Sequence, residues 1–154
     1  MSFIQRQVAQ SFLDTFDTLD LEGALALRAP SCRHTILPFS LGYKPDLTND
    51  QFAEHLSRLI QILSRFPVYA QEIIESGNQI TIHATSNAVF RDEVKGEDDG
   101  TEWTYEGEYI FVLLFDQSGK IERIVEFIDS AKVAGAMALL GKARENLAKG
   151  KEGS

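Results

Sequence analysis

Trp103, Tyr105, Tyr109 and Phe111 stand at even spacing along one segment, broken only at Gly107. Residues two apart in a strand project from the same face, so the four make one aromatic ladder with a gap at the glycine. That gap would let a ligand approach the backbone, flanked by two phenol hydroxyls able to donate or accept hydrogen bonds. The same ladder would also serve as core or as a subunit interface, where aromatic residues concentrate.

Glu126 sits between Val125 and Phe127, two positions from Ile124 and from Ile128, so the face that carries it is otherwise apolar. Burial penalises the charged form of a carboxyl group, which suits a general acid or base near neutral pH. The alternative is a structural partner for Arg33, Arg91 or Arg123. Arg33 and His34 are neighbours on a β-prone run, and neighbours alternate in facing, so one of them turns inward. It would supply either a fixed positive charge or an imidazole for proton transfer.

His83, Thr85 and Asn87 share one face of a strand and would either hydrogen-bond a ligand or meet solvent. His55 is read as a surface residue of a helix. Glu106 and Glu108 face away from the tyrosines, toward solvent or a subunit contact.

Several chemistries are absent from the pattern. The sequence has no phosphate-cradling glycine loop, dinucleotide fingerprint, nucleophile elbow or histidine pair at metal-ligand spacing. Cys32 is the single cysteine, which excludes an intrachain disulfide and a thiolate cluster. No metal and no cofactor are expected. A net charge of -8 opposes binding to a polyanion, so nucleic acid is not expected as a partner. The longest apolar run, Ile110 to Phe115, is too short to cross a bilayer, and the N-terminal segment is too polar for a signal peptide. A soluble, cytoplasmic protein without membrane contacts is expected.

The elements that position these groups follow from periodicity. Ile4, Val8, Phe12, Phe16 and Leu19 form one stripe of a helix over about the first twenty residues. Leu21 to Arg28 reads as a second helix, halted by Pro30. Cys32 to Leu37 reads as a short strand, followed by a loop. Thr48 and Gln51 form a capping box for a third helix reaching about Phe66, with Phe52, Leu56, Leu59, Ile60 and Leu63 on its apolar side. From Pro67 the period is two. A hairpin turns at Ser76-Gly77-Asn78, and a long strand covers Glu102 to Phe115. A turn then leads to a strand over Lys120 to Asp129. The acidic segment Asp92 to Gly100 reads as a solvated loop or a mobile lid. Ala131 to Leu147 is a terminal helix with Val133, Met137 and Leu140 on one side. One α+β domain over residues 1–148 and a flexible charged tail over 149–154 are expected.

The segments RAPSCRHTILPFSLG (Arg28 to Gly42), YEGEYIFVLLFDQSGKI (Tyr105 to Ile121) and RIVEFIDS (ending at Ser130) give the chain its resemblance. It resembles the SnoaL-like branch of the nuclear-transport-factor-2-like superfamily, and within it the small fungal isomerases of secondary-metabolite clusters. The resemblance implies an α+β cone: a curved antiparallel sheet with N-terminal helices enclosing a pocket, assembled as a homodimer. It implies a cofactor-independent isomerase rearranging a hydrophobic meroterpenoid or indole-alkaloid intermediate. The family pattern assigns proton transfer to Glu126, with Tyr105, Tyr109 and either His34 or Arg33 as partners. Trp103, Phe111, His83 and Leu37 would contact the substrate. Dehydration or cyclisation of a polyketide-type substrate, and a non-catalytic binding or dimerisation module, are the alternatives.

Overall fold

A computed structural model describes residues 2–152. Helix α1 (Ser2–Asp17) and the short α2 (Leu21–Ala26) precede strand β1 (Arg28–Leu37). Helix α3 (Asn49–Ile60) leads into β2 (Leu63–Arg65), β3 (Val68–Ser76) and β4 (Gln79–Phe90). Strands β5 (Thr104–Phe115) and β6 (Ile121–Ile128) follow, and α4 (Ser130–Glu152) ends the described chain.

The six strands form one sheet in the order β1-β6-β5-β4-β2, with β3 also on β4. The hairpin pairs β3–β4, β4–β5 and β5–β6 are antiparallel, as the turn signals indicate. One pairing corrects an all-antiparallel sheet: β1 runs parallel to β6. Strands so far apart in the chain share no turn, so their pairing leaves no local mark in the sequence. Register shifts between Ala70 and Glu72 and between Leu114 and Phe115 bend the sheet, as bulges do.

The inner face carries Ile80, Ile82, Phe111, Leu113, Phe115 and Ile124, all 1% exposed or less, against Ala9, Phe12 and Leu13 of α1. Phe12 meets Phe111 edge-on at 5.3 Å, a geometry worth about 0.5–1.5 kcal/mol beyond the area it buries. The helix presents a slightly different stripe from the one expected, because Ile4 at its start is 52% exposed. It also stops at Asp17, and Leu19 takes a positive φ of 54° in the turn that follows.

Other boundaries move for identifiable reasons. α2 ends at Ala26 and β1 begins at Arg28, passing through Pro30. Proline is tolerated here because β1 is an edge strand, where a ladder hydrogen bond can be missing. The Thr48/Gln51 capping box is formed, but α3 ends at Ile60, and Leu63 already pairs with Phe90 of β4. The Asp92 to Gly100 segment is docked rather than solvated throughout. Val94 is fully buried, Asn146 of α4 donates to its carbonyl at 2.8 Å, and Lys142 pairs with Asp99. α4 continues to Glu152, well into the expected tail, while Gly153 and Ser154 lie outside the described residues.

Candidate active site

A pocket lies between the inner face of the sheet and the helices. Its floor comes from β1, β5 and β6 through His34, Ile36, Tyr105, Tyr109 and Glu126. Its walls come from Phe52, His55, Leu56 and Leu59 of α3 and from Val133, Ala136, Met137 and Leu140 of α4. The stripe expected on the terminal helix thus closes the pocket. The cavity volume is about 110 Å³.

At one side of the floor His34 and Glu126 are paired. Their strands are adjacent, and Glu126 stands opposite Ile36 of β1, diagonal to His34 on the inner face. Nε2 of His34 lies 2.9 Å from Oε1 of Glu126, with the imidazole 1% and the carboxylate 13% exposed. The ring of Phe52 stacks on the imidazole at 5.2 Å. Behind it, Nη2 of Arg28 lies 3.0 Å from Nδ1 of His34. The Arg28 guanidinium carbon stands 3.6 Å above the centre of the same Phe52 ring. Burial lowers the His34 pKa below the ordinary 6.5, only partly opposed by the bond to Glu126. Burial likewise lowers Arg28 to about 10, opposed by the attraction of Cys32 and Glu126.

Across the floor is a cluster of hydroxyls. Tyr109 Oη and Ser86 Oγ are 2.8 Å apart, Tyr109 Oη donates to Tyr105 Oη at 3.4 Å, and Ser86 Oγ accepts from the Gly107 amide at 3.2 Å. A Cβ on Gly107 would stand 2.3 Å from the Tyr109 oxygen and 2.7 Å from those of Ser86 and Tyr105. The gap at the glycine is therefore filled by the protein's own hydroxyls, which corrects its reading as a ligand slot. Phe66 stacks on Tyr105. Burial raises both phenols, Tyr109 far above the ordinary value, so at neutral pH they remain protonated donors. Among the described residues no hydrogen bond joins Glu126 to either tyrosine.

The aromatic ladder divides between two jobs. Tyr105 and Tyr109 reach the pocket. Phe111 is 1% exposed in the core, stacked on Tyr109 and edge-on to Phe12, and Trp103 precedes β5 and packs on Phe90 at 5.4 Å. Neither lines the pocket. Arg33 is the outward member of its pair, with its guanidinium on the carbonyls of Ser31 and Cys32 at 3.1 Å each. His83 lies on the outer face and pairs with Glu108 at 2.6 Å. Leu37 also faces outward, in register with Phe127.

Two pocket residues escape the sequence reading. His55 lines the pocket, edge-on to Tyr43 at 5.5 Å, and burial lowers its pKa. Its position was available from spacing, since Phe52, His55, Leu56 and Leu59 follow the i, i+3, i+4, i+7 rule of one helix face. Tyr43 comes from an irregular loop, pinned where Leu47 bridges to His34, and carries no periodic signal. Burial raises its phenol. Among the described residues no three His, Cys, Asp or Glu side chains are grouped to hold a metal ion. No helix among them is long and apolar enough to cross a membrane.

No protein-family model matches the chain. It is 29% identical over 123 residues to Austinoid biosynthesis clusters protein F of Emericella nidulans, a match covering 79% of this chain and 66% of that protein. The chain thus spans just under two thirds of that relative. It is also 29% identical to Austinoid biosynthesis cluster protein H of Aspergillus calidoustus, covering 80% and 81% of the two chains. Among solved structures, BvnE pinacolase from Penicillium brevicompactum superposes with a TM-score of 0.76 at 22% identity over 93% of this chain and 98% of that one. PrhC from Penicillium brasilianum gives 0.75 at 20% identity over 94% and 93%. AusH from Aspergillus nidulans gives 0.72 at 21% identity over 84% and 86%. The chain has the nuclear-transport-factor-2-like fold and is similar in sequence to fungal proteins named for austinoid biosynthesis clusters.

Proposed function

We propose that this chain is a cofactor-independent enzyme of secondary metabolism, which isomerises a hydrophobic, oxygenated intermediate by moving a proton. The observation that carries the reading is a carboxylate, Glu126, held by His34 inside an otherwise apolar cavity and facing a wall of phenol hydroxyls. A carboxylate so placed needs a reason, because burying it is costly. Relatives named for austinoid biosynthesis clusters, and a structural neighbour that is a pinacolase, support a terpenoid-type substrate and a rearrangement.

In this reading Glu126 takes a proton from a hydroxyl or an activated carbon of the substrate and returns it elsewhere on the skeleton. Tyr105 donates a hydrogen bond to the oxygen on which negative charge develops, with Tyr109 behind it. The apolar walls from α3 and α4 keep water from a reactive intermediate. Meroterpenoid and indole-alkaloid intermediates are the classes to try first.

The test is incubation of the purified protein with such intermediates, followed by mass spectrometry. A product of unchanged mass and new retention time supports isomerisation. Loss of water identifies a dehydratase or cyclase instead. Binding without turnover across the panel would leave a ligand-binding module and overturn the enzymatic reading.

A further inference from the structure

We propose that Arg28 is the positioning residue of this site: able only to donate, its guanidinium fixes His34 in the tautomer that carries its proton on Nε2, directed at Glu126. The inference deepens the acid-base reading above and rests on it only for its effect on turnover.

Arg28 is the first residue of β1 and is 5% exposed. Its Nη2 lies 3.0 Å from Nδ1 of His34. A guanidinium has five N–H donors and no acceptor, so Nδ1 must offer its lone pair. The ring proton is then on Nε2, 2.9 Å from Oε1 of Glu126, which accepts it. The opposite tautomer would set N–H against N–H at Arg28 and a lone pair against the carboxylate at Glu126. An imidazolium would repeat the first of these clashes. Phe52 holds the geometry in place, since the imidazole stacks on its ring and the Arg28 guanidinium lies over it. With Oε1 occupied by His34, Oε2 is left for the proton of the substrate.

Arg28 is badly satisfied for a merely structural arginine. Among the described residues its buried Nε and Nη1 have no oxygen or nitrogen partner, and the Cys32 thiol is its other polar neighbour. Buried polar groups are ordinarily paired, and an incompletely paired guanidinium destabilises the fold. Its Nη2 is spent on the one imidazole that holds Glu126.

The test is long-range proton–nitrogen NMR of the histidine rings in the ligand-free protein at neutral pH. There are three histidines, so His55→Gln and His83→Gln spectra assign the remaining ring. The expected His34 signals are an unprotonated Nδ1 and a protonated Nε2. Arg28→Met is expected to bring the two nitrogen shifts together and to lower kcat roughly tenfold or more with KM little changed, and Arg28→Lys to recover part of both. A proton on Nδ1 in the wild type, or unchanged His34 signals in a folded Arg28→Met, overturns the inference. If Arg28→Met does not fold, a proton on Nδ1 in the wild type still overturns the inference, and the Arg28→Lys spectrum supplies the comparison. Full activity of Glu126→Gln would overturn the acid-base reading while leaving the tautomer result intact, so the two failures are distinguishable.

Discussion

His34 and Glu126 are 92 positions apart in the chain and meet at 2.9 Å because the edge strand β1 runs parallel to the last strand, β6. Replacing Glu126 by glutamine keeps an amide oxygen to accept from His34 and removes the proton acceptor. Glu126→Gln is therefore expected to fold with a near-native melting temperature and to lose about 10²–10⁴ in turnover. A folded variant that remains fully active would refute the role given to this carboxylate.

Gly107 gives a test of the opposite wall. A methyl group there would stand 2.3–2.7 Å from three hydroxyl oxygens, and at least one of them has to move. Tyr109 is buried at 4% exposure and has little room to shift. Gly107→Ala is expected to cost about 1–3 kcal/mol by denaturant unfolding, as overpacking does, and to disorder the hydroxyl cluster. Unchanged stability would mean that the cluster is looser than its distances indicate.

The two tyrosines should separate stability from turnover. Tyr109→Phe leaves the buried Ser86 hydroxyl without its phenol partner and is expected to cost about 1–3 kcal/mol. Tyr105→Phe loses a longer, 3.4 Å bond at the pocket surface, so it should cost less stability and more turnover. Calorimetry paired with kinetics on both variants checks this, and a reversed order would exchange their roles.

The sequence makes much of this site legible and hides the rest for physical reasons. Period-two spacing places Tyr105, Tyr109 and Glu126 on inward faces, and turn chemistry locates the hairpins that carry them. Alternation says that one of Arg33 and His34 faces inward without saying which, because that depends on the register of β1 with β6, a contact between ends of the chain. The same register turns Leu37 outward beside Phe127. Arg28 looks like the end of a helix because Pro30 follows it, whereas on an edge strand that proline does no harm. Trp103 and Phe111 share the spacing of the tyrosines but lie beyond the pocket's ends, where Phe90 and Phe12 cover them. Spacing fixes a face, not the length of the cavity beneath it.

Buried neutral histidines make stability depend on pH. His34 and His55 both have pKa values lowered by burial from the ordinary 6.5. The unfolded chain then binds more protons than the folded one in the range between the two values. This stabilisation is fully present above about pH 6.5 and is lost as pH falls from there toward the lowered folded values. Thermal unfolding is expected to show a melting temperature that is level near pH 7.5 and declines below about 6.5, well above the range where carboxylates titrate. His55→Gln should flatten part of that decline. A melting temperature constant between pH 7.5 and 5 would mean that these rings are less buried in solution.

The outer face of the sheet bears on assembly. Ile110 and Phe127 are register partners there, 40% and 50% exposed, and Leu37 lies opposite Phe127 on the next strand, so an apolar strip crosses β5, β6 and β1. Phe39, 71% exposed, follows just beyond the end of β1. An apolar strip on a sheet face is costly to leave wet, and a second copy of the same surface would cover it symmetrically about a two-fold axis. A homodimer is therefore expected by light scattering at micromolar concentration. Phe127→Glu would place a charge in the middle of the strip and is expected to yield a folded monomer, because its side chain points away from the core. A wild-type monomer would refute the assembly, and a dimer that survives Phe127→Glu would place the interface elsewhere on the molecule.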